Sequence, residues 1–194
     1  MASEVDIYNM ALNQVGHSKT VANPNEDSKE ARICRAHFAN LRDFALRDFD
    51  WNFARRHKAL ALSTDAAPTN WLYNYTLPQD CLKARRIAVP GVRVAKKGER
   101  IPFEVAGGRI FTDQPDAELI YTARVTDTTQ FDSMFVMALA WLMVPYVAMG
   151  LVIKTDAAQM GHQNYRIVSS QAIAADMGEG FDEEPDPDFL SERD

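Results

Sequence analysis

The feature that most constrains this chain is a change in the spacing of its apolar residues across positions 47–54. Upstream, apolar residues recur at steps of three and four, as on one face of an amphipathic helix: Ala31, Cys34, Phe38, Leu41, Ala45 and Phe49. After Trp51 the apolar residues fall into short runs broken by proline and glycine, which indicates strands and turns. Helical spacing returns at Phe131. The pattern therefore predicts helices at both ends and a β-rich insert between them.

Four helices are expected, at about residues 3–16, 28–50, 129–150 and 155–177. Ser3 and Asp6 have the spacing of a capping box, and Gly16 is the expected stop of the first helix. The third helix includes the uncharged run Met134–Ile153, which has the length of a membrane span. Pro145, Gly150 and the lack of flanking basic clusters favour a buried or subunit-interface helix instead, with Pro145 as the expected kink.

The insert, at about residues 53–125, reads as several short strands. Extended runs are expected at 53–62, 72–77, 82–89, 92–95, 102–106, 109–112 and 118–125. Gly107-Gly108 is a two-residue spacer of the kind that joins a tight hairpin. In the last run, Leu119, Tyr121 and Ala123 alternate with polar residues and share one face. The expected class is α+β, an antiparallel bundle of two N-terminal and two C-terminal helices with a central β-rich insert.

Charge separates a body from a tail. Residues 179–194 contain eight acidic residues and one arginine, so they carry −7, whereas the whole chain carries −6 and residues 1–178 carry +1. The tail has little apolar content, which is typical of a segment that is disordered or ordered only by a partner. One domain is therefore expected at 1–178, followed by an acidic tail at 179–194.

Patterns for chemistry are weak in this sequence. The four histidines show no metal-binding spacing, and Cys34 and Cys81 form no paired motif. No nucleophile elbow or phosphate-binding loop is recognisable. No catalytic, cofactor-binding or metal-binding residue is therefore predicted and no cofactor is expected, although a hydrolase using two of the 27 acidic residues stays open as an alternative.

Two basic clusters and one aromatic group suggest contacts. Arg55-Arg56-His57-Lys58 and Lys83-Ala84-Arg85-Arg86 lie on expected strands, where neighbouring side chains point to opposite faces. Because the body is nearly neutral, an acidic protein surface, including the tail of a neighbouring copy, is a better partner than specific DNA. The aromatic group is expected to form a core seam between helix and sheet and consists of Trp51, Phe53, Trp71, Tyr73 and Tyr75.

These residues also carry a resemblance to a known family. The sequence resembles the tail tubular protein A family of tailed bacteriophages over the stretches 28–34, 41–43, 46–48 and 51–54. The resemblance continues through Ala59-Leu60-Ala61-Leu62, Pro68, Trp71, Tyr73, Tyr75 and Leu77–Leu82. Residues 8–16 resemble the family's opening helix. The match covers roughly residues 5–90, with Trp51, Phe53, Trp71, Tyr73, Tyr75 and Pro78 as its signature scaffold. Beyond residue 90 only the order of elements agrees.

The resemblance implies a structural role. Proteins of this family are head-to-tail adaptors: copies form a ring, typically of twelve, that joins the portal protein to the tail nozzle or tube. Tail fibres dock on some rings, and genomic DNA passes through without specific binding. The implied location is the head-tail junction of a virion made in the host cytoplasm, with no membrane partner. Candidate assembly contacts are Trp141, Leu142, Tyr146, Phe181, Phe189 and Leu190. The alternatives are a tail-associated hydrolase acting on cell-wall or surface glycan, and a membrane-associated protein.

Overall fold

The helices lie close to where the sequence predicts them. The computed structural model describes residues 2–91, 100–152 and 156–178. Its helices are α1 (Glu4–Gln14), α2 (Lys29–Asp48), α3 (Ser133–Gly150) and α4 (Asp156–Gly178). The predicted third helix began too early because Thr128–Gln130 form a separate 3₁₀ turn, after which Asp132 caps α3. The predicted strand at 92–95 and the tail at 179–194 lie outside the described residues.

Both predicted ends of α1 are confirmed by their hydrogen bonds. The Ser3 side chain accepts from the Asp6 amide, and the Asp6 carboxylate accepts from the Ser3 amide at 2.8 Å. At the other end Gly16 has φ +72°. The amide of His17 donates to the Leu12 carbonyl at 3.0 Å and that of Gly16 to the Asn13 carbonyl at 2.9 Å. This is a Schellman motif, which a left-handed glycine permits.

Six short strands form two antiparallel three-stranded sheets. They are β1 (Arg55–Ala59), β2 (Tyr73–Thr76), β3 (Cys81–Ile87), β4 (Phe103–Ala106), β5 (Arg109–Thr112) and β6 (Glu118–Ala123). The first sheet has the order β1-β6-β3 and the second has the order β2-β5-β4. The chain is therefore of mixed α+β class, with four helices and two small antiparallel sheets in the described residues.

The glycine hairpin is confirmed. Gly107 and Gly108 join β4 to β5, and their φ angles are +56° and +74°. Two successive residues with positive φ form the tight turn whose twist matches that of paired strands. Glycine adopts this conformation without a steric penalty.

Buried side chains divide into two cores. In the helical core, α1, α2 and α4 all pack against α3, and Leu12, Ala45 and Leu139 are fully buried there. In the sheet core, Tyr75 and Ile110 meet Leu119. The central strand β6 is buried at every position after Glu118, on both faces, because Tyr75 and Ile110 of the second sheet pack on one face and α2 contacts part of the strand.

Helix α3 runs without interruption through Pro145. Among the described residues it is the one helix long and apolar enough to cross a membrane, and 61% of it is buried inside the chain. A core helix of a soluble protein passes the same test of length and composition. Packing against three other helices accounts for an apolar surface on all sides.

Candidate interaction surfaces

Trp51 joins the helical layer to the start of the sheet. Its side chain is 2% exposed, and its Nε1–H donates to the Ala45 carbonyl at 2.9 Å. The indole meets the Phe135 ring edge-on, with centroids 5.1 Å apart, so α2, the link to β1 and α3 converge on it. Phe53 packs beside it, 5.1 Å from Phe135. The part of the predicted seam formed by Trp51 and Phe53 therefore lies in the helical core.

The other three aromatics of the predicted seam lie elsewhere. Tyr73 and Tyr75 belong to the sheet core, where the Tyr75 hydroxyl donates to the Gln114 carbonyl at 3.0 Å. Trp71 is partly exposed, and its Nε1–H donates to the Glu104 carboxylate at 3.0 Å. Pro78 is buried between β2 and β3. The expectation of one seam was wrong, because the chain enters a second packing layer between Phe53 and Trp71.

A groove of about 530 Å³ lies between α2, α3 and α4. Two predicted assembly contacts, the buried Leu142 and the half-buried Tyr146, line it, and Phe44 contributes a ring that is 53% exposed. The third contact on α3, Trp141, is half-buried and packs against the helical core. Phe181, Phe189 and Leu190 lie outside the described residues. The structure thus places Leu142 and Tyr146 together on one surface.

Polar groups in the groove hold its walls together. The Tyr165 hydroxyl donates to the Asp48 carboxylate at 2.7 Å, which links α4 to the end of α2. Burial, with this hydrogen bond, raises the pKa of Tyr165 above its usual range, so the phenol keeps its proton and its donor role. His162 and Arg166 are exposed on α4 at the groove. Apolar walls with a polar rim are typical of a docking surface.

The two basic clusters have different environments, although the sequence suggested the same use for both. In the second cluster, Lys83 Nζ lies 2.9 Å from the Asp50 carboxylate, and Arg85 donates to the Trp51 carbonyl at 2.7 Å. In the first cluster, all of β1 is exposed. Because these residues form a strand, neighbouring side chains of the cluster point to opposite faces, as expected, and all of them are exposed.

The two thiols are not poised for nucleophilic chemistry. Burial raises the pKa of Cys34 to about 12 and that of Cys81 to about 11. Because the thiolate is the reactive form, both groups are protonated and unreactive near neutral pH. Within the described ranges, His, Cys, Asp and Glu side chains form no group of three or more that could hold a metal ion.

No protein-family model matches this chain, and no curated protein matches it either.

Proposed function

We propose that this chain is a structural head-to-tail adaptor of a bacteriophage virion. Its copies form a ring that joins the portal protein to the tail nozzle or tube and lets DNA pass. The observation that carries the proposal is the packing of Trp51 and Phe53 against Phe135 of α3. Two signature residues of the resembled family thereby attach a β-rich insert to helices from both ends of the chain.

In this proposal the four helices act as an antiparallel bundle with α3 at its centre, and the acidic tail extends from α4. The bundle supplies a rigid body, because α1, α2 and α4 each bury part of α3. The role is structural and needs no catalytic residue. Partners are further copies of the chain, the portal protein, the nozzle or tube protein and, in some virions, tail fibres.

The groove between α2, α3 and α4 is the proposed contact between neighbouring copies. On its α2 wall the Phe44 side chain is 53% exposed. A large exposed apolar side chain beside a partly apolar groove favours a protein contact, since its burial removes apolar surface from water. A neighbouring copy that inserts an apolar side chain here covers Leu142 and Tyr146 at the same time.

The test is the native mass of the purified chain, alone and with the portal protein encoded in the same genome. We expect a ring, with a mass near twelve times 21.8 kDa, at least when portal is present. Phe44→Ser should reduce ring formation while the circular dichroism spectrum stays native, because Phe44 is exposed in the single chain.

Leu72→Ser is the matched control, since Leu72 is 73% exposed but precedes β2, away from the helices. Rings should survive this change. A chain that stays monomeric with portal present contradicts the adaptor proposal, and normal rings from Phe44→Ser contradict the use of the groove.

A further inference from the structure

Strand β1 has an open side. It pairs with β6 in an antiparallel register that sets Arg56 opposite Tyr121. In this register the Leu60 amide donates to the Ala117 carbonyl and the Ala123 amide to the Ala54 carbonyl, both at 2.8 Å. Because hydrogen bonding alternates along a strand, residues 54, 56, 58 and 60 turn towards β6, and residues 55, 57 and 59 turn outward. Within the described ranges no strand pairs with that outer side along residues 55–59, whereas just beyond them the Ala61 carbonyl accepts from the Thr76 amide of β2 at 3.0 Å.

The outward groups form a short template for another strand. The amides of His57 and Ala59 face outward, whereas the Arg55 amide donates to the Asn52 carbonyl at 3.1 Å. Unpaired amides and carbonyls at a sheet edge accept an added strand, and main-chain hydrogen bonds then provide much of the affinity.

The charge on β1 selects the kind of strand that fits. His57 Nδ1 already lies 3.2 Å from the Glu118 carboxylate, but Arg55 and Lys58 form no ion pair with any described residue. A second copy of β1 is repelled, since like charges on adjacent strands destabilise the pairing. An acidic extended segment is attracted. The positive charges on β1 therefore disfavour pairing with a second copy of β1 and favour pairing with an acidic strand.

The acidic tail has the sequence of such a segment. Pro185 and Pro187 lack an amide hydrogen and are two residues apart, so in an extended chain both face the same side. Glu184, Asp186 and Asp188 face the opposite side with their amides intact. Proline is tolerated in a strand when it lies on the unpaired side of an edge. The three acidic residues are thus the ones that can pair.

We propose that residues 183–189 of a second copy add to β1 as an edge strand. Glu184, Asp186 and Asp188 lie opposite the outward residues 55, 57 and 59, and a carboxylate reaches Arg55. The contribution to ring closure rests on the proposed function, since a tail-to-edge contact joins copies head to tail and closes when the rotation permits. The strand contact itself does not depend on a portal.

The first experiment titrates a labelled peptide of residues 179–194 into the full chain carrying Glu184→Gln, Asp186→Asn and Asp188→Asn. These substitutions neutralise the chain's own tail, so that it does not compete with the peptide for β1. We expect saturable binding that weakens with salt. Amide exchange should slow at His57 and Ala59 and stay unchanged at Arg56 and Lys58, which already face β6. Adding Arg55→Ser and Lys58→Ser should weaken binding by about fivefold or more.

Two controls separate strand addition from simple charge attraction. Lys29→Ser with Arg32→Ser removes the same charge from exposed positions on α2 and should leave peptide affinity unchanged. A peptide N-methylated at Asp186 should lose binding, whereas N-methylation at Phe189, on the other side of the strand, should not. Equal binding of both methylated peptides overturns the proposal. So does displacement of the peptide by a sulfated polyanion, if the bound peptide also gives no exchange protection at His57 and Ala59.

A mixing experiment tests whether the contact joins two copies. The Arg55→Ser, Lys58→Ser chain keeps its tail, and the chain with the neutral tail keeps its edge. We expect the mixture to contain a complex that neither variant forms alone, measured by native mass. No mixed complex overturns contact between copies. If rings form but the peptide does not bind, only the strand contact is overturned. If the peptide binds but no rings form even with portal present, only the adaptor function is overturned.

Discussion

At the scale of single residues, Trp51 shows what sequence reasoning recovers and where it stops. Its placement beside a helix end and before extended residues predicts a core position, and the 2% exposure confirms it. Trp71 looks equally suited to a core in the sequence, yet its indole is partly exposed and bonds to Glu104. Residue type does not distinguish the two tryptophans, because burial depends on packing layers that meet over long sequence distances.

Trp51→Phe should destabilise the chain. The change leaves the buried Ala45 carbonyl without its 2.9 Å donor and removes part of the ring that packs on Phe135. We expect a loss of about 2–3 kcal/mol in the free energy of unfolding, measured by urea denaturation. Trp71→Phe is the control and should cost no more than about 0.5 kcal/mol. Equal losses for the two variants contradict the role assigned to Trp51.

At the scale of elements, the packing of α4 on α3 depends on a glycine whose low helix propensity would lead one to expect a less stable helix. Gly161 lies inside α4, where glycine usually lowers helix stability. A Cβ at this position meets the Pro145 Cδ at 2.8 Å and the Val144 Cγ1 at 2.9 Å. The two helices approach this closely because Gly161 has no Cβ.

Gly161→Ala should therefore destabilise the chain although alanine is the better helix former. Alanine gains about 1 kcal/mol in intrinsic preference, but overpacking against α3 costs more. We expect a net loss of about 1–3 kcal/mol, read from thermal or urea unfolding. The exposed Ser170→Ala on the same helix should not destabilise. A stabilised Gly161→Ala chain shows that α4 does not pack on α3 as described.

At the scale of the whole molecule, the two cores provide two units of stability. The helical core includes Leu139 and the sheet core includes Ile110, both fully buried. Trp51 and Phe53 belong to the first core although they lead into the strands. Disruption of the sheet core should then leave much of the helical core protected, since local openings follow packed units.

Ile110→Ala and Leu139→Ala test this division. Each should cost about 2–4 kcal/mol, because each removes buried apolar volume. In native-state hydrogen exchange, Ile110→Ala should speed exchange in β2, β5 and β6 more than in α1 and α3. Leu139→Ala should speed exchange in the helices at least as much as in the sheets. Uniform acceleration everywhere by both variants contradicts two separate cores.

The order of elements in the sequence, together with the resemblance, predicts a helical bundle with a β-rich insert. The structure agrees with the mixed α+β class. The groove was only partly predictable. Leu142 and Tyr146 belong to one helix that the sequence predicts, whereas Phe44, Tyr165 and Arg166 complete the surface from two other helices. Their separation in sequence hides this grouping, and no short-range pattern reports it.

The sequence by itself determined both ends of α1, the Gly107-Gly108 turn and the change from helical to extended spacing at Trp51. These features depend on hydrogen bonds and backbone angles within a few residues, so local residue types decide them. Only the tertiary structure decided which aromatics share a core, why Gly161 is needed, and that β1 is an exposed edge while Lys83 and Arg85 of β3 bond to Asp50 and Trp51. Those outcomes depend on contacts between distant segments, whose free energy is set by packing.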